Sequence, residues 1–338
     1  MLQGRSEMYK TKKISTWKNF QKNSINHIWK SVVNDWICAL FSNPSVDFLK
    51  KFKYGEVIYN NYMKFRFFIT KKPAMPILEY VVTTKCTMNC KHCNTFIPYF
   101  TNQTHVKPVG FEEFKNDLDT ILKSVDFIMF LGFVGGEPLL AKDLHKMLAY
   151  ALKQKKVRHV FLATNCTLLP SKELLEVMKN KKFAVQISDY RNVKLKNNMT
   201  VKYDEFKRMC IKNDIRMSNF QEKREAMNWQ TMPDLYKDRQ NAIYIQNQYD
   251  KCWGRYCNML CDGILTQCTL SVYINRNMEI TPQIQNELVD IRKNKNTKEL
   301  TKKIINFYSR PYSEFCHYCH CDKIEYGLPC GEQVEDRN

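Results

Sequence analysis

The sequence has no apolar run long enough to cross a bilayer. Its longest runs, such as Phe127 to Val134, stop far short of the ~20 residues a spanning helix needs. An apolar h-region is also missing near the start. Met1 to Gln21 is polar and basic, so no secretory signal is expected and the cytoplasm is the expected location. Acidic residues are scarce against basic ones, 34 against 53, which leaves a net charge of +19. Such an excess can mark nucleic-acid or membrane-surface binding. Here no compact basic helix and no RNA-binding motif accompanies it, and the lysines are spread among many Asn, as a low-GC coding bias produces. Nucleic acid is therefore not an expected partner. An anionic small substrate, or one carried at a membrane surface, is compatible.

Cysteine is not scarce. The chain has 14, too many for a cytosolic enzyme that uses thiols only for packing. In a reducing compartment thiols stay available to metal, so the count favours metal sites over disulfides. A hydrophobic content of 44% and an aromatic content of 13% indicate a folded globular protein. At 338 residues there is room for one large domain and a smaller one.

Residues 1–75 read as a mostly helical extension, with Trp29, Val32, Val33, Trp36, Ile37 and Leu40 at helical spacing. Its recurring Trp17, Trp29, Trp36, Tyr54, Tyr59 and Tyr62 are expected to pack on the main domain rather than to form a substrate platform. Pro73 and Pro76 mark a boundary. From there strands are expected at 77–83, 126–134, 158–164, 183–188 and, more weakly, 214–218. Between them lie amphipathic helices, one with Phe111, Phe114, Leu118, Ile121 and Leu122 on a single face. A second has Leu144, Met147, Leu148, Ala151 and Leu152 behind a capping Asp143. A third is opened by Pro170-Ser171 through Leu174, Leu175 and Met178, and a fourth lies near 203–213. This alternation implies parallel βα units with right-handed crossovers. Residues 76–240 are read as this core and residues 241–338 as a small Cys-rich domain.

In such folds ligands sit at the carboxyl ends of the strands. The unusual residues gather there. After the first strand come Cys86, Cys90 and Cys93; after the second Gly135-Gly136-Glu137-Pro138; after the third Thr164-Asn165; after the fourth Ser188-Asp189-Tyr190. Three thiolates in eight residues form a ligand set with one position missing. On a cubane iron–sulfur cluster, which Cys usually holds, that leaves one iron open to a substrate or co-substrate. Zinc is the alternative, since a C-x2-C pair is typical of zinc sites. The glycine pair suits close approach of backbone to a ligand. Ser188 and Asp189 can bond a sugar hydroxyl or cap the following loop.

Cys86-x3-Cys90-x2-Cys93 followed by Gly135-Gly136-Glu137-Pro138, in βα context over roughly 76–220, resembles the radical S-adenosylmethionine (SAM) superfamily. The resemblance implies an α/β fold, a partial (β/α)6 TIM-like barrel, in which Cys86, Cys90 and Cys93 hold a [4Fe–4S] cluster. It implies that the amine and carboxylate of SAM chelate the fourth iron and that Gly135, Gly136 and Glu137 receive the amine. It places His92 against the adenine and Asn165, Ser188 and Asp189 among the SAM contacts. The implied chemistry is reductive cleavage of SAM to a 5′-deoxyadenosyl radical that takes hydrogen from an unactivated C–H bond, with an electron donor of flavodoxin or ferredoxin type. The cofactor carries that chemistry and the protein supplies position and exclusion of water. No side-chain acid or base is assigned; Tyr190 and Arg191 only lie near the rim.

Nine thiols follow position 200. Cys210 falls on the apolar face of a helix and reads as core. The others form two groups, 252–268 and 316–330, as if two segments closed one metal site. Asp262-Gly263 reads as a tight hairpin turn presenting Cys268 on its returning strand. Thr297 to Leu300 starts a helix before the last pair. Cys252-x10-Gly263-x4-Cys268 with Cys316-x2-Cys319 resembles the auxiliary-cluster extension called Twitch or SPASM. The full seven-ligand SPASM order is absent, which favours one auxiliary [4Fe–4S] cluster held by Cys252, Cys268, Cys316 and Cys319. Cys257 or Cys321 can replace one of these, Cys330 is a further candidate, and structural zinc stays open, the more so with His317 and His320 beside the thiols.

The expected activity is oxidation, dehydrogenation or a related modification of a peptide or of a sugar-type or other small molecule. Activation of a glycyl-radical enzyme is an alternative, and a zinc- or cluster-stabilised binding protein without catalysis is another, against which the intact three-Cys motif and Gly-Gly-Glu argue.

Overall fold

The computed structural model describes residues 16–34, 48–191, 193, 195–196, 199–219, 229–238, 240–294, 296–320, 324–328 and 331–334. Trp36, Ile37, Leu40, Cys321 and Cys330 lie outside them. Two helices come first, α1 (Asn26–Asn34), which continues from a π-helical turn at Gln21–Ile25, and α2 (Gly55–Thr70). Their inward side chains Phe20, Ile25, Ile28, Trp29, Tyr59 and Met63 join the main core. Trp29 and Tyr59 are buried with ring centroids 5.4 Å apart. Tyr54 and Tyr62 are exposed, although the Tyr62 ring lies 6.3 Å from that of Tyr59.

Five parallel strands follow: β1 (Met75–Thr83), β2 (Ile128–Gly135), β3 (Val157–Thr164), β4 (Phe183–Ile187) and β5 (Met217–Asn219). They lie side by side in chain order, β1-β2-β3-β4-β5. Nearly every residue of β1 is buried, as a parallel sheet covered on both faces requires. Helices α3 (Phe111–Ser124), α4 (Leu144–Lys153), α5 (Lys172–Met178) and α6 (Tyr203–Lys212) fill the crossovers, and α3, α4 and α5 pack on one another in turn. From β1 to β5 the strand order does not reverse, so these crossovers wind the same way, as they do in a barrel.

The local chemistry mostly follows the sequence. Ser171 caps α5, its Oγ accepting from the Leu174 N–H at 3.2 Å. Asp143 stands at the N-cap of α4 but makes no capping bond. Its backbone (φ −90°, ψ 10°) lacks the extended conformation a cap needs, and its carboxylate pairs with Lys146 at 2.8 Å instead. β5 starts at Met217 rather than near 214, because Asp214 takes a left-handed conformation (φ 53°) that closes α6.

The second half extends the same sheet. β8 (Asn258–Cys261) runs parallel to β1 on the side away from β2, β9 (Ile264–Thr266) returns antiparallel, and β10 (Val289–Asp290) adds the edge. Asp262 (φ 50°) and Gly263 (φ 73°) make the two-residue turn whose twist a hairpin favours. Cys268 lies past the returning strand, as N-cap of α8 (Thr269–Asn277). Before the hairpin runs α7 (Ala242–Lys251), and after it α9 (Thr297–Tyr308), which packs on α3. Two short antiparallel pairs complete the described chain, β6 (Trp229–Gln230) with β12 (Tyr326–Leu328) and β7 (Asp234–Leu235) with β11 (Cys319–His320).

One ion network joins the halves. Arg292 donates to both oxygens of the buried Asp117 on α3, at 2.9 and 2.8 Å, and to Asp262 of the hairpin turn at 2.8 Å. Tyr80 of β1 donates to Asp117 at 2.9 Å. A Cβ at Gly263 would stand 2.6 Å from the Arg292 side chain, so glycine is needed there both for the turn and for the network. Among the described residues no helix is long and apolar enough to cross a membrane.

Candidate active site

Cys86, Cys90 and Cys93 follow β1 directly, so the fold sets them at its carboxyl end, between β2 and β8. The Cys86 Sγ accepts from the Met88 N–H at 3.5 Å and from the Asn165 amide at 3.6 Å. The Cys93 Sγ lies 3.1 Å from the Thr95 hydroxyl, and Cys90 is buried beside Met88 and Tyr190. Burial pushes the Cys86 thiol up to about 11, and the neighbouring Cys93 and Glu137 add to the shift. A coordinated metal supplies the positive charge that this burial withholds. An all-thiol donor set with N–H groups aimed at a sulfur fits an iron–sulfur cluster. None of the 11 described cysteines is in a disulfide. Among the described residues no three His, Cys, Asp or Glu side chains converge closely enough to hold one bare metal ion.

Gly135-Gly136-Glu137 is zipped onto the start of this loop. Gly136 N–H donates to the Thr83 carbonyl at 2.8 Å and Glu137 N–H to the Lys85 carbonyl at 2.9 Å. A Cβ at Gly135 would stand 2.1 Å from the Thr83 oxygen, and one at Gly136 would stand 2.0 Å from the Lys85 oxygen. Their missing side chains let two backbone segments of this chain meet. The Glu137 carboxylate is fully buried. Its Oε1 accepts from Leu139 N–H and Thr164 hydroxyl, both at 3.0 Å, and its Oε2 from Asn165 N–H at 2.8 Å. Burial lifts its pKa to about 7 against those hydrogen bonds. It fastens the end of β2 to the end of β3.

Asn165 carries the link onward. Its amide donates to Thr87 at 3.0 Å as well as to Cys86, while its Oδ1 accepts from Thr167 N–H at 3.0 Å and hydroxyl at 2.7 Å. The Thr87 and Thr167 hydroxyls are 2.7 Å apart. Sequence reasoning passed over both threonines, although Thr167 continues the same polar strand end as Thr164 and Asn165. At the end of β4, Ser188 N–H donates to the Thr164 carbonyl at 3.0 Å. Asp189 is gripped by the Arg191 fork at 2.9 and 2.6 Å, and that guanidinium lies 4.2 Å over the Tyr203 ring. Asp189 therefore already has a cationic partner.

The far end of the chain covers the loop. Cys90 and Gln333 form an antiparallel bridge, Lys91 N–H donates to the Glu332 carbonyl at 2.6 Å, and Val334 N–H donates to the Asn89 carbonyl at 3.1 Å. The Gln333 amide donates to the Met88 carbonyl. Trp229 donates its indole N–H to the His92 carbonyl at 3.0 Å and packs beside Tyr190. Burial and the Lys91 ammonium hold the His92 imidazole below its usual range. Nothing in the sequence points to residues 331–334, because a β-bridge between distant segments leaves no local pattern.

The later cysteines come together in part. Gly254 sits between two of them: a Cβ there would stand 3.5 Å from the Cys252 Sγ and 3.8 Å from the Cys268 Cβ. The Cys316 thiol is raised well above its usual value by burial and by Cys268, Cys252 and Glu287 beside it. Burial and Cys252 push Cys268 up to about 12. Cys252 and Cys268 thus flank Gly254, with Cys316 within electrostatic reach of both. Cys319 follows on β11, paired with Leu235. Cys257 closes the short turn at Trp253–Tyr256, and Cys261 is buried within β8. Cys210 is core, as expected.

The sequence profile of the Radical SAM superfamily matches residues 80–211. No curated protein matches the chain. Among solved structures, anSMEcpe with bound AdoMet and Cp18Cys peptide is 13% identical, with 74% of this chain and 86% of that chain covered and a TM-score of 0.46. The alignment to another anSMEcpe structure spans only 41% of that chain. BtrN in complex with AdoMet and 2-DOIA is 14% identical over 77% of this chain and 97% of that one, with a TM-score of 0.43. Streptococcus suis SuiB bound to the precursor peptide SuiA is 12% identical over 68% and 67%, with a TM-score of 0.38.

Proposed function

We propose, taking residues 80–211 as a radical SAM domain, that this chain is an enzyme acting on an unactivated C–H bond of a peptide or sugar-type substrate. The chemistry that a bound [4Fe–4S] cluster and SAM supply is reductive cleavage to a 5′-deoxyadenosyl radical. Cys86, Cys90 and Cys93 would hold three corners of that cluster. The observation that carries the reading is the bonding of Gly135–Glu137 and Asn165 to the cysteine loop, which fixes the thiols and the SAM-facing segment as one piece. Gly135, Gly136 and Glu137 would receive the amine of SAM, the buried Glu137 carboxylate holding the segment in place. His92 would lie against the adenine, and Asn165 and Ser188 would contact the rest. Asp189 joins them only if it shares its carboxylate with Arg191.

Cys252, Cys268, Cys316 and Cys319 would hold an auxiliary [4Fe–4S] cluster, placed to take the electron left on an oxidised substrate. The net charge of +19 suits an acidic electron donor of flavodoxin or ferredoxin type and an anionic substrate. The test is anaerobic reconstitution with iron and sulfide, followed by dithionite and SAM. 5′-Deoxyadenosine is the expected product, and its absence from a preparation with a verified cluster overturns the reading.

A further inference from the structure

We infer that the face bearing α2 docks this protein on the surface of an anionic phospholipid bilayer. Six side chains of α2, Val57, Ile58, Tyr62, Phe65, Phe68 and Ile69, are 50–66% exposed. At helical spacing they fall within one arc of about 140°. Gly55, Tyr59 and Met63, on another side of the helix, are buried against the core. Phe48, Phe52 and Tyr54, also at least half exposed, extend the apolar face ahead of the helix. Soluble domains rarely leave so continuous an aromatic and aliphatic surface in water.

The charge around this face is one-sided. Between residues 48 and 72 the only acid is Glu56. Lys50, Lys51, Lys53 and Lys71 are exposed at its two ends, and the Lys71 ammonium lies 3.9 Å from the Phe68 ring centre. Arg66 is taken by Asp126 at 2.8 Å, so the rim is made of lysine. Two residues past α2, Lys72 begins a depression of about 780 Å³ lined also by Lys123, Lys153, Lys155, Lys156 and Asp119. Lys72 and Lys156 already donate to the last carbonyls of α3, at 2.6 and 2.6 Å. That leaves Lys123, Lys153 and Lys155 for phosphate groups. The depression sits at the amino ends of β1 and β3, the end of the sheet opposite the cysteine loop.

Aromatic rings at the acyl boundary with lysines reaching to phosphates is the arrangement by which a helix lies in a bilayer interface. With no spanning helix among the described residues, the attachment is peripheral. It needs neither group of cysteines.

The test is sedimentation of the full chain with vesicles of phosphatidylcholine, and with vesicles containing roughly one-third phosphatidylglycerol. Binding to the anionic vesicles alone, weakened by salt, is the expected result. Phe65→Glu with Phe68→Glu should reduce it about tenfold or more with an unchanged thermal midpoint, both positions being exposed. Lys50→Glu, Lys51→Glu and Lys53→Glu together should remove the preference for anionic lipid. Equal pelleting with both vesicles, no pelleting, or indifference to the Phe changes overturns the inference. So does a dimer in solution that Phe65→Glu and Phe68→Glu dissociate, because the face would then belong to a second copy.

Discussion

Cys86, Cys90 and Cys93 come from one loop behind one strand, whereas Cys252, Cys268 and Cys316 come from three segments that meet only in the folded chain. The first group needs almost no chain closure before its thiols are neighbours. The second must close long loops first, and so depends on the hairpin and on the segments after α9 being in place. A thiol set held by local geometry tolerates damage elsewhere. One assembled across the fold fails with it.

The sharpest break of this symmetry is substitution of each group in turn. Cys86→Ala, Cys90→Ala and Cys93→Ala together should reduce 5′-deoxyadenosine formation to background and leave iron only on the second group. Cys252→Ala, Cys268→Ala and Cys316→Ala should spare SAM cleavage while substrate turnover is lost. If the first variant retains zinc and no cluster absorbance, the second group is a zinc site.

Next in size is the link between the halves. Arg292→Ala leaves Asp117 buried with only Tyr80 beside it. About 3 kcal/mol is expected from stranding such a carboxylate, towards the lower end because the guanidinium is 37% exposed. Urea melts would read it, and iron loss should be confined to the second group. Gly136→Ala strikes the first group instead. Its Cβ would meet backbone of the cysteine loop, at a cost of about 1–3 kcal/mol, and cluster uptake by the first group alone should fall.

Acid sensitivity near the second group is on the scale of those substitutions. His27 is buried, stacked 3.5 Å on Tyr256, and neither ring nitrogen has a hydrogen-bond partner. Burial, then Arg255 and Lys30, lowers its pKa to about 3. The unfolded chain takes the proton from about pH 6.5 downwards and the folded chain does not. Stability should therefore be complete above pH 6.5 and fall by about 1.4 kcal/mol per pH unit below it, until about pH 3. Thermal midpoints between pH 7.5 and 5 should show the slope, and His27→Phe should flatten it.

The same contrast explains what could be read from sequence. Strand and helix periods around residues 77–213 are local, and so is the spacing of Cys86, Cys90 and Cys93; all are present in the fold. The partners of those residues are not local. Nothing near Gly135 announces that Thr83 and Lys85 occupy its empty side, and nothing near Met88 announces Gln333. Asp143 misled because an N-cap needs a backbone conformation as well as a side chain. Cys252, Cys268 and Cys316 could be grouped by number only through resemblance, since three distant thiols carry no spacing rule of their own.

The bridge from Gln333 to the cysteine loop has a consequence in time. Met88 and Gln333 are 245 positions apart, so a chain leaving the ribosome displays the loop long before residues 331–334 exist to cover it. At about 5–20 residues per second, that interval lasts on the order of tens of seconds. During it the three thiols stand uncovered, and the arrival of residues 331–334 closes the loop over.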